Sequence, residues 1–123
     1  MINLNVGLSY IHHSLKRQAE NRQYLILQGL TFLFTYYDTR KSSPNIEERQ
    51  EAHYNIARVY HMLGLTNLAL PYYEKVFGEL EGRERESSRE DLVVEAAFNL
   101  QGIYAMAGNR ELARVVTERW LVI

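Results

Sequence analysis

Apolar residues recur along this chain at spacings of three and four, which is the period of an amphipathic α-helix. One such stripe opens the sequence with Leu4, Leu8, Ile11 and Leu15. We predict a first helix over about residues 4–19 and a second over about residues 21–39, joined near Glu20. No capping residue precedes the first stripe, so the chain begins as helix interior, as expected of a piece of a longer protein.

A loop over residues 41–45 separates the second helix from the third. Asn45, followed three residues later by Glu48, has the form of a capping box, in which two side chains satisfy backbone N–H groups of the first helical turn. Ser43, which precedes a proline, is an alternative N-cap. The third helix is therefore predicted to begin at this loop and to run to Leu63.

Glycine marks the end of the third helix. Gly64 stands where a residue in the left-handed conformation would terminate it, and Thr66 can cap the fourth helix. That fourth helix is predicted to reach about Leu80.

Charge and glycine delimit the last two helices in the same way. Residues 81–89 are polar and charged, and we predict a solvated loop there. Ser88, with Asp91 three residues on, is predicted to start the fifth helix, which ends at Gly108. The sixth covers about residues 109–121, so the sequence predicts an all-α protein of about six helices.

Two segments match each other without gaps: residues 54–69 and residues 98–113, at an offset of 44. Both carry aromatic-Asn-aliphatic, then Tyr, then Met-x-Gly, and then Leu-Ala, which resembles the tetratricopeptide (TPR) pattern. Ala69 and Ala113 fall where the second helix of a pair crosses the first, and a small residue there permits close approach. A standard repeat has about 34 residues, so we predict an insertion around residues 82–88.

The first third of the chain is a weaker version of the repeat. Its residues that fit the small, Tyr, Ala, aromatic and apolar positions are Gly7, Tyr10, Gly29, Leu33 and Tyr36. We therefore predict antiparallel helix pairs stacked as a short TPR superhelix over residues 1–123. The predicted units are a degenerate pair at 1–40, a TPR at 45–80 and a TPR at 88–123.

Composition narrows the range of possible functions. The 14 basic and 15 acidic residues give a net charge of -1, so a role on DNA would be indirect. The chain has no cysteine, no apolar run long enough to span a membrane, and no histidine pair with metal-ligand spacing. Phosphate-binding and nucleophile motifs are absent as well. We predict no enzyme, no cofactor, no metal and no small-molecule substrate.

A binding surface is the remaining prediction. In a TPR stack the first helices of successive pairs line a concave groove that holds other proteins. The candidate groove residues are Tyr54, Asn55, Arg58, His61, Met62, Phe98, Asn99 and Met106. Trp120, in an unusually apolar last helix, is a candidate anchor for a partner or for core packing, and packing is the favoured reading.

Two features outside the general TPR pattern make the sequence more specific. Residues 21–29 carry Asn-Arg-x-x-Leu-Ile-x-Gln-Gly, and residues 61–65 carry His-x-Leu-Gly-Leu. With the runs at 54–58, 68–76 and 97–109, they resemble the C-terminal end of the TPR subunit of transcription factor TFIIIC.

The resemblance implies a nuclear scaffold of the RNA polymerase III machinery, with this chain as its last repeats. Other TFIIIC subunits are the implied partners here, and TFIIIB is the implied partner of the full-length protein. The family's TFIIIB-recruiting surface is associated with more N-terminal repeats, so it is not transferred to residues of this chain. A generic TPR adaptor in another complex and a repeat that only caps the solenoid remain alternatives.

Overall fold

The computed structural model describes residues 1–16, 21–79 and 90–121. These residues form six α-helices and a closing π-helical turn, and they contain no β-strand. The elements are α1 (Ile2–Ser14), α2 (Arg22–Arg40), α3 (Ile46–Met62), α4 (Thr66–Gly78), α5 (Glu90–Met106), α6 (Arg110–Val116) and the π turn (Thr117–Leu121).

The helices pack as consecutive pairs, α1 with α2, α3 with α4 and α5 with α6, and each pair also packs against the next. This is the all-α, TPR-like arrangement that the repeat pattern predicts, and the fold class is confirmed. The division into units at 1–40, 45–80 and 88–123 stays a prediction.

Several predicted helix ends differ from the observed ones. The first helix ends at Ser14, five residues before its predicted end, and the predicted junction near Glu20 lies outside the described residues. The fourth helix ends at Gly78. Its predicted end at Leu80, the charged loop at 81–89 and the start of the fifth helix at Ser88 all lie outside the described residues.

The predicted N-cap of α3 is confirmed, but its capping box is not. The Asn45 side-chain oxygen accepts the Glu47 N–H at 2.9 Å. The Asn45 N–H donates to the Ser43 hydroxyl oxygen at 3.2 Å and not to Glu48. Glu48 instead accepts from the Ser43 hydroxyl and pairs with Arg40 at 3.3 Å.

The predicted cap at Thr66 is wrong, while the predicted turn at Gly64 is confirmed. Gly64 has φ +78°, and the Leu65 N–H donates to the Tyr60 carbonyl at 2.9 Å. This is a Schellman ending of α3. Because the turn is so short, Leu65 occupies the N-cap position of α4 and Thr66 is already helical.

The same turn recurs at the end of α5. Gly108 has φ +80°, and the Asn109 N–H donates to the Tyr104 carbonyl at 2.8 Å. Here the residue after the glycine does cap the next helix, since the Asn109 side chain accepts the Leu112 N–H at 3.2 Å. The gapless match between the two segments therefore extends to the backbone of their turns.

The residues that the structure describes form two adjoining core clusters. One gathers buried residues of α1, α2 and α3, and the other gathers buried residues of α3, α4, α5 and α6. Tyr60 and Tyr72 pack against both clusters. Ala69 and Ala113 are buried at the positions where the repeat pattern predicts helix crossings.

Candidate protein-binding groove

The first helices of the second and third pairs, α3 and α5, border an open groove of about 520 Å³. The groove is lined by Tyr54, Arg58, Val94, Glu95, Phe98 and Asn99. It lies on the side of the stack that the sequence predicts as its binding face.

The α5 wall of this groove is apolar and exposed. Phe98 is 65% exposed and Val94 is 43% exposed. They are four residues apart and so share one face of α5, because a helix repeats every 3.6 residues. The opposite face of α5 carries the buried residues Val93, Ala96, Ala97, Leu100 and Ile103. Phe98 and Val94 therefore contribute little to the core beneath them.

The floor of the groove is a polar link between the two helices. Tyr54 is buried, and its hydroxyl donates to a Glu95 carboxylate oxygen at 3.1 Å. Burial raises the pKa of Tyr54, and the bond to Glu95 raises it further. The Tyr54 hydroxyl therefore stays protonated and remains a donor at neutral pH.

Beneath the groove lies a second buried phenol. Burial, more than any other influence, raises the pKa of Tyr73 to about 12. The Tyr73 hydroxyl lies 3.1 Å from Nδ1 of His61. His61 is half-buried, and its ring meets the Tyr73 ring edge-on with the centroids 6.0 Å apart.

Arg58 is the basic group of the groove. Its side chain is exposed, and among the residues that the structure describes no carboxylate lies within 4.0 Å of it. The acidic residue of the groove, Glu95, is held by Tyr54 instead. The groove thus offers an exposed apolar wall together with a guanidinium that forms no ion pair in this part of the chain.

The structure brings Tyr54, Arg58, Phe98 and Asn99 together in the groove, as predicted, and locates the other candidates elsewhere. The Asn55 amide donates to the Tyr36 hydroxyl at 3.1 Å, so it serves the junction of α2 and α3. Met62 packs against the first core cluster. Met106 is 93% exposed but lies beyond the groove lining. Whether any of these residues binds a partner stays a prediction.

Trp120 lies in the π turn and packs inward. Its ring stacks on Phe77 with centroids 4.7 Å apart, and the Arg119 guanidinium carbon lies 5.0 Å from the indole. This is the packing role that the sequence favours. Its alternative role as an anchor for a partner stays a prediction.

Val94 is the groove residue that sequence reasoning missed. It precedes Phe98 by one helical turn, so the helical period alone could have identified it as a neighbour on the same face. It was missed because the repeat pattern matches residues 54–69 to 98–113, and Val94 precedes the matched segment.

The described residues contain no group of three or more His, Asp or Glu side chains arranged to hold a metal ion. None of the described helices is long and apolar enough to cross a membrane. What the groove provides is contact surface, with hydrogen-bonding groups at its floor and a cation at its side.

No protein-family model matches the chain. The chain is 41% identical over 129 aligned residues to the transcription factor tau subunit sfc4 of Schizosaccharomyces pombe, which covers 98% of this chain and 13% of that protein. It is 37% identical over 123 residues to the transcription factor tau 131 kDa subunit of Saccharomyces cerevisiae, covering all of this chain and 11% of the relative.

A human relative extends the comparison beyond yeasts. General transcription factor 3C polypeptide 3 is 35% identical over 115 residues, covering 90% of this chain and 12% of the human protein. The similarity thus spans nearly the whole chain, while the chain spans 11 to 13% of the length of these curated relatives. The resemblance to a TFIIIC subunit is confirmed.

Proposed function

Since the chain is homologous over nearly its whole length to TFIIIC subunits, we propose that it is a protein-binding part of such a subunit. In this proposal it acts without catalysis, as a scaffold in RNA polymerase III transcription in the nucleus. Its direct partners are other TFIIIC subunits. TFIIIB is recruited by the full-length protein, and DNA is contacted only indirectly.

The observation that carries the proposal is the groove between α3 and α5, with Phe98 exposed at its wall. Large aromatic residues at the centre of a contact surface commonly supply much of the binding free energy. Because Phe98 is 65% exposed, contacts within its own chain give it little hydrophobic stabilisation. Covering it with a partner removes that apolar surface from water.

Charge also favours a protein partner over nucleic acid. The net charge of the chain is -1, whereas proteins that bind phosphate backbones carry a marked positive surface. In the groove itself, Arg58 and Glu95 contribute one charge of each sign. Such a surface suits a mixed apolar and polar protein segment.

The test is the substitution Phe98→Ala in the endogenous gene, followed by purification of the complex through another TFIIIC subunit. We expect the variant protein to be recovered at about a tenth of the wild-type level, the change that 1.4 kcal/mol of lost binding makes. Leu68→Ala is the matched control, because Leu68 is also an exposed apolar residue but lies on α4 outside the groove.

Equal recovery of the Phe98 variant and wild type would contradict the proposal. If TFIIIC keeps its composition while proteins outside TFIIIC are lost from the variant, the generic adaptor is the better description. Purification of the variant protein itself, with its associated proteins quantified, distinguishes these two outcomes.

A further inference from the structure

Gly102 lies inside α5, one turn after Phe98. Glycine in a helix interior is destabilising relative to alanine, because it loses more conformational freedom on folding. A Cβ atom at Gly102 would meet no atom within 4 Å. No packing contact in the described part of the chain therefore requires a glycine at this position.

Two other glycines of this chain show how a glycine inside a helix permits close packing of a second helix. A Cβ on Gly7 would lie 2.6 Å from Leu33 Cγ, and a Cβ on Gly29 would lie 2.9 Å from Ile11 Cδ1. Both glycines sit where α1 and α2 approach each other closely, and a side chain at either one would force the helices apart. At Gly102 the residue type is the same, but the space above it is open.

The side chains on either side of Gly102 also suit contact with a second helix. Phe98 and Met106 lie one turn before and one turn after it, and they are 65% and 93% exposed. A short gap flanked by large apolar side chains at i-4 and i+4 is the shape into which a ridge of a second helix fits. The face is apolar, exposed and centred on the glycine.

The charge next to this face defines the occupant further. Arg58 lines the same groove as Phe98 and has no carboxylate within ion-pairing distance among the described residues. Because Arg58 and Phe98 line one groove, a helix that crosses at Gly102 and extends over Phe98 enters the groove that contains this guanidinium. An acidic side chain on that helix would complete the pair and fix its direction.

We propose that an α-helix of another TFIIIC subunit crosses α5 at Gly102. A small residue of that helix lies over Gly102, apolar residues contact Phe98 and Met106, and a carboxylate about one turn away pairs with Arg58. This inference rests on the proposed function, because it specifies the occupant of the same surface.

The first test uses two substitutions whose effects on folding and binding are different. Gly102→Ala should raise the urea midpoint of the chain, because the added methyl has open space. The same variant should be recovered with the complex at a reduced level, and Gly102→Leu at about a tenth of the wild-type level or less. Gly78→Ala is the control, since Gly78 is equally open but lies at the end of α4.

Recovery of both Gly102 variants at the wild-type level would overturn the inference. If Phe98→Ala reduces recovery while the Gly102 variants do not, the groove still binds a partner and only the crossing helix is refuted. If none of these variants changes recovery, the proposed function fails together with the inference.

The second test identifies the occupant and its charge. A photo-cross-linking amino acid in place of Met106, in the assembled complex, should attach to a helical segment of another TFIIIC subunit. Arg58→Glu should reduce recovery several-fold, and reversing an acidic residue of that segment to lysine should restore it. Absence of any cross-link to another subunit, a segment without a carboxylate, or failure of the reversal to restore recovery would each contradict the inference.

Discussion

The first two helix pairs have the same topology, but different interactions hold the two helices of each pair together. Where α1 meets α2, Gly7 and Gly29 let the two backbones touch, and a Cβ on Gly7 would lie 2.9 Å from the Gly29 carbonyl oxygen. Where α3 meets α4, Ala69 is the small residue and buried polar side chains bridge the helices. The first pair depends on steric fit, and the second depends also on hydrogen bonds.

Three polar contacts of the second pair lie at the C-terminal end of α4. Gln50 is 1% exposed, and its amide donates to the Val76 carbonyl at 3.1 Å. That carbonyl is among the last four of α4, which have no partner within the helix. Glu79 then accepts from Arg49 at 3.0 Å and lies 3.3 Å from His53.

The largest expected effect comes from breaking the steric contact of the first pair. Gly7→Leu inserts a side chain where even a Cβ would lie 2.6 Å from Leu33 Cγ. We expect the free energy of unfolding to fall by about 3 kcal/mol or more, at the upper end of overpacking effects. Urea unfolding followed by circular dichroism measures this change.

The control for this prediction is Gly78→Ala, which we expect to change stability by less than about 1 kcal/mol because its Cβ has open space. Hydrogen exchange adds a second measurement. Tyr60 and Tyr72 touch both core clusters, so faster exchange should reach α3 as well as α1 and α2. A loss smaller than about 1 kcal/mol for Gly7→Leu would mean that the crossing is not close-packed.

A somewhat smaller effect is expected from the polar link of the second pair. Gln50→Ala leaves the buried Val76 carbonyl without its side-chain donor, and an unsatisfied buried group costs about 1–3 kcal/mol. We expect a loss of about 2 kcal/mol in urea unfolding. The neighbouring exposed substitution Glu51→Ala should stay within about 0.5 kcal/mol of wild type. Equal values for the two variants would show that the Gln50 hydrogen bond does not stabilise the second pair.

The sequence predicts the local features of these pairs well. Gly64 and Gly108 end their helices as expected, because a left-handed terminal residue leaves a signal at one position. Ala69 and Ala113 are recognisable because the repeat places them at fixed spacing. The cap at Thr66 was wrong because the short turn places Leu65 in the N-cap position, so that Thr66 is already in the first turn of α4.

The contacts between elements could not be predicted in the same way. Helical periodicity assigns a face to a residue, but it does not identify the neighbour that covers that face. Asn55 and Met62 were therefore assigned to the groove although α2 and the first core cluster hold them. Gln50 and His53 read as ordinary polar positions of α3, because their partners lie 26 residues away.

A smaller effect is expected at the connection within the second pair. Gly64→Ala forces a residue with a Cβ into φ +78°, at a cost of about 1 kcal/mol. Gly108→Ala, at φ +80°, should cost the same in the third pair. Urea unfolding of both variants tests whether the matched turns are energetically equivalent. A difference of more than about 1 kcal/mol between them would show that they are not.

The smallest expected effect is a pH dependence of stability that is confined to the second pair, α3 and α4. Burial lowers the pKa of His53 below its ordinary value of 6.5, against the opposing influence of Glu79 and with added repulsion from Lys75 and Arg49. The folded protein therefore holds His53 neutral while the unfolded chain takes up the proton first. Stability present at neutral pH should decline as the pH falls through 6.5 toward the lower pKa of the folded state.

Urea midpoints measured at pH 7.5 and pH 5.5 test this sign. Wild type should lose stability over that interval, and His53→Gln, which keeps a hydrogen-bonding group without a titrating ring, should lose less. Hydrogen exchange should place the acid-induced opening in α3 and α4, because His53 lies on α3 and its Nε2 lies 3.3 Å from Glu79 at the C-terminus of α4. An equal decline in His53→Gln, or opening that begins at the glycine contact of α1 and α2, would assign the pH dependence to other groups. The first and second helix pairs would then not differ in the pH dependence of their stability.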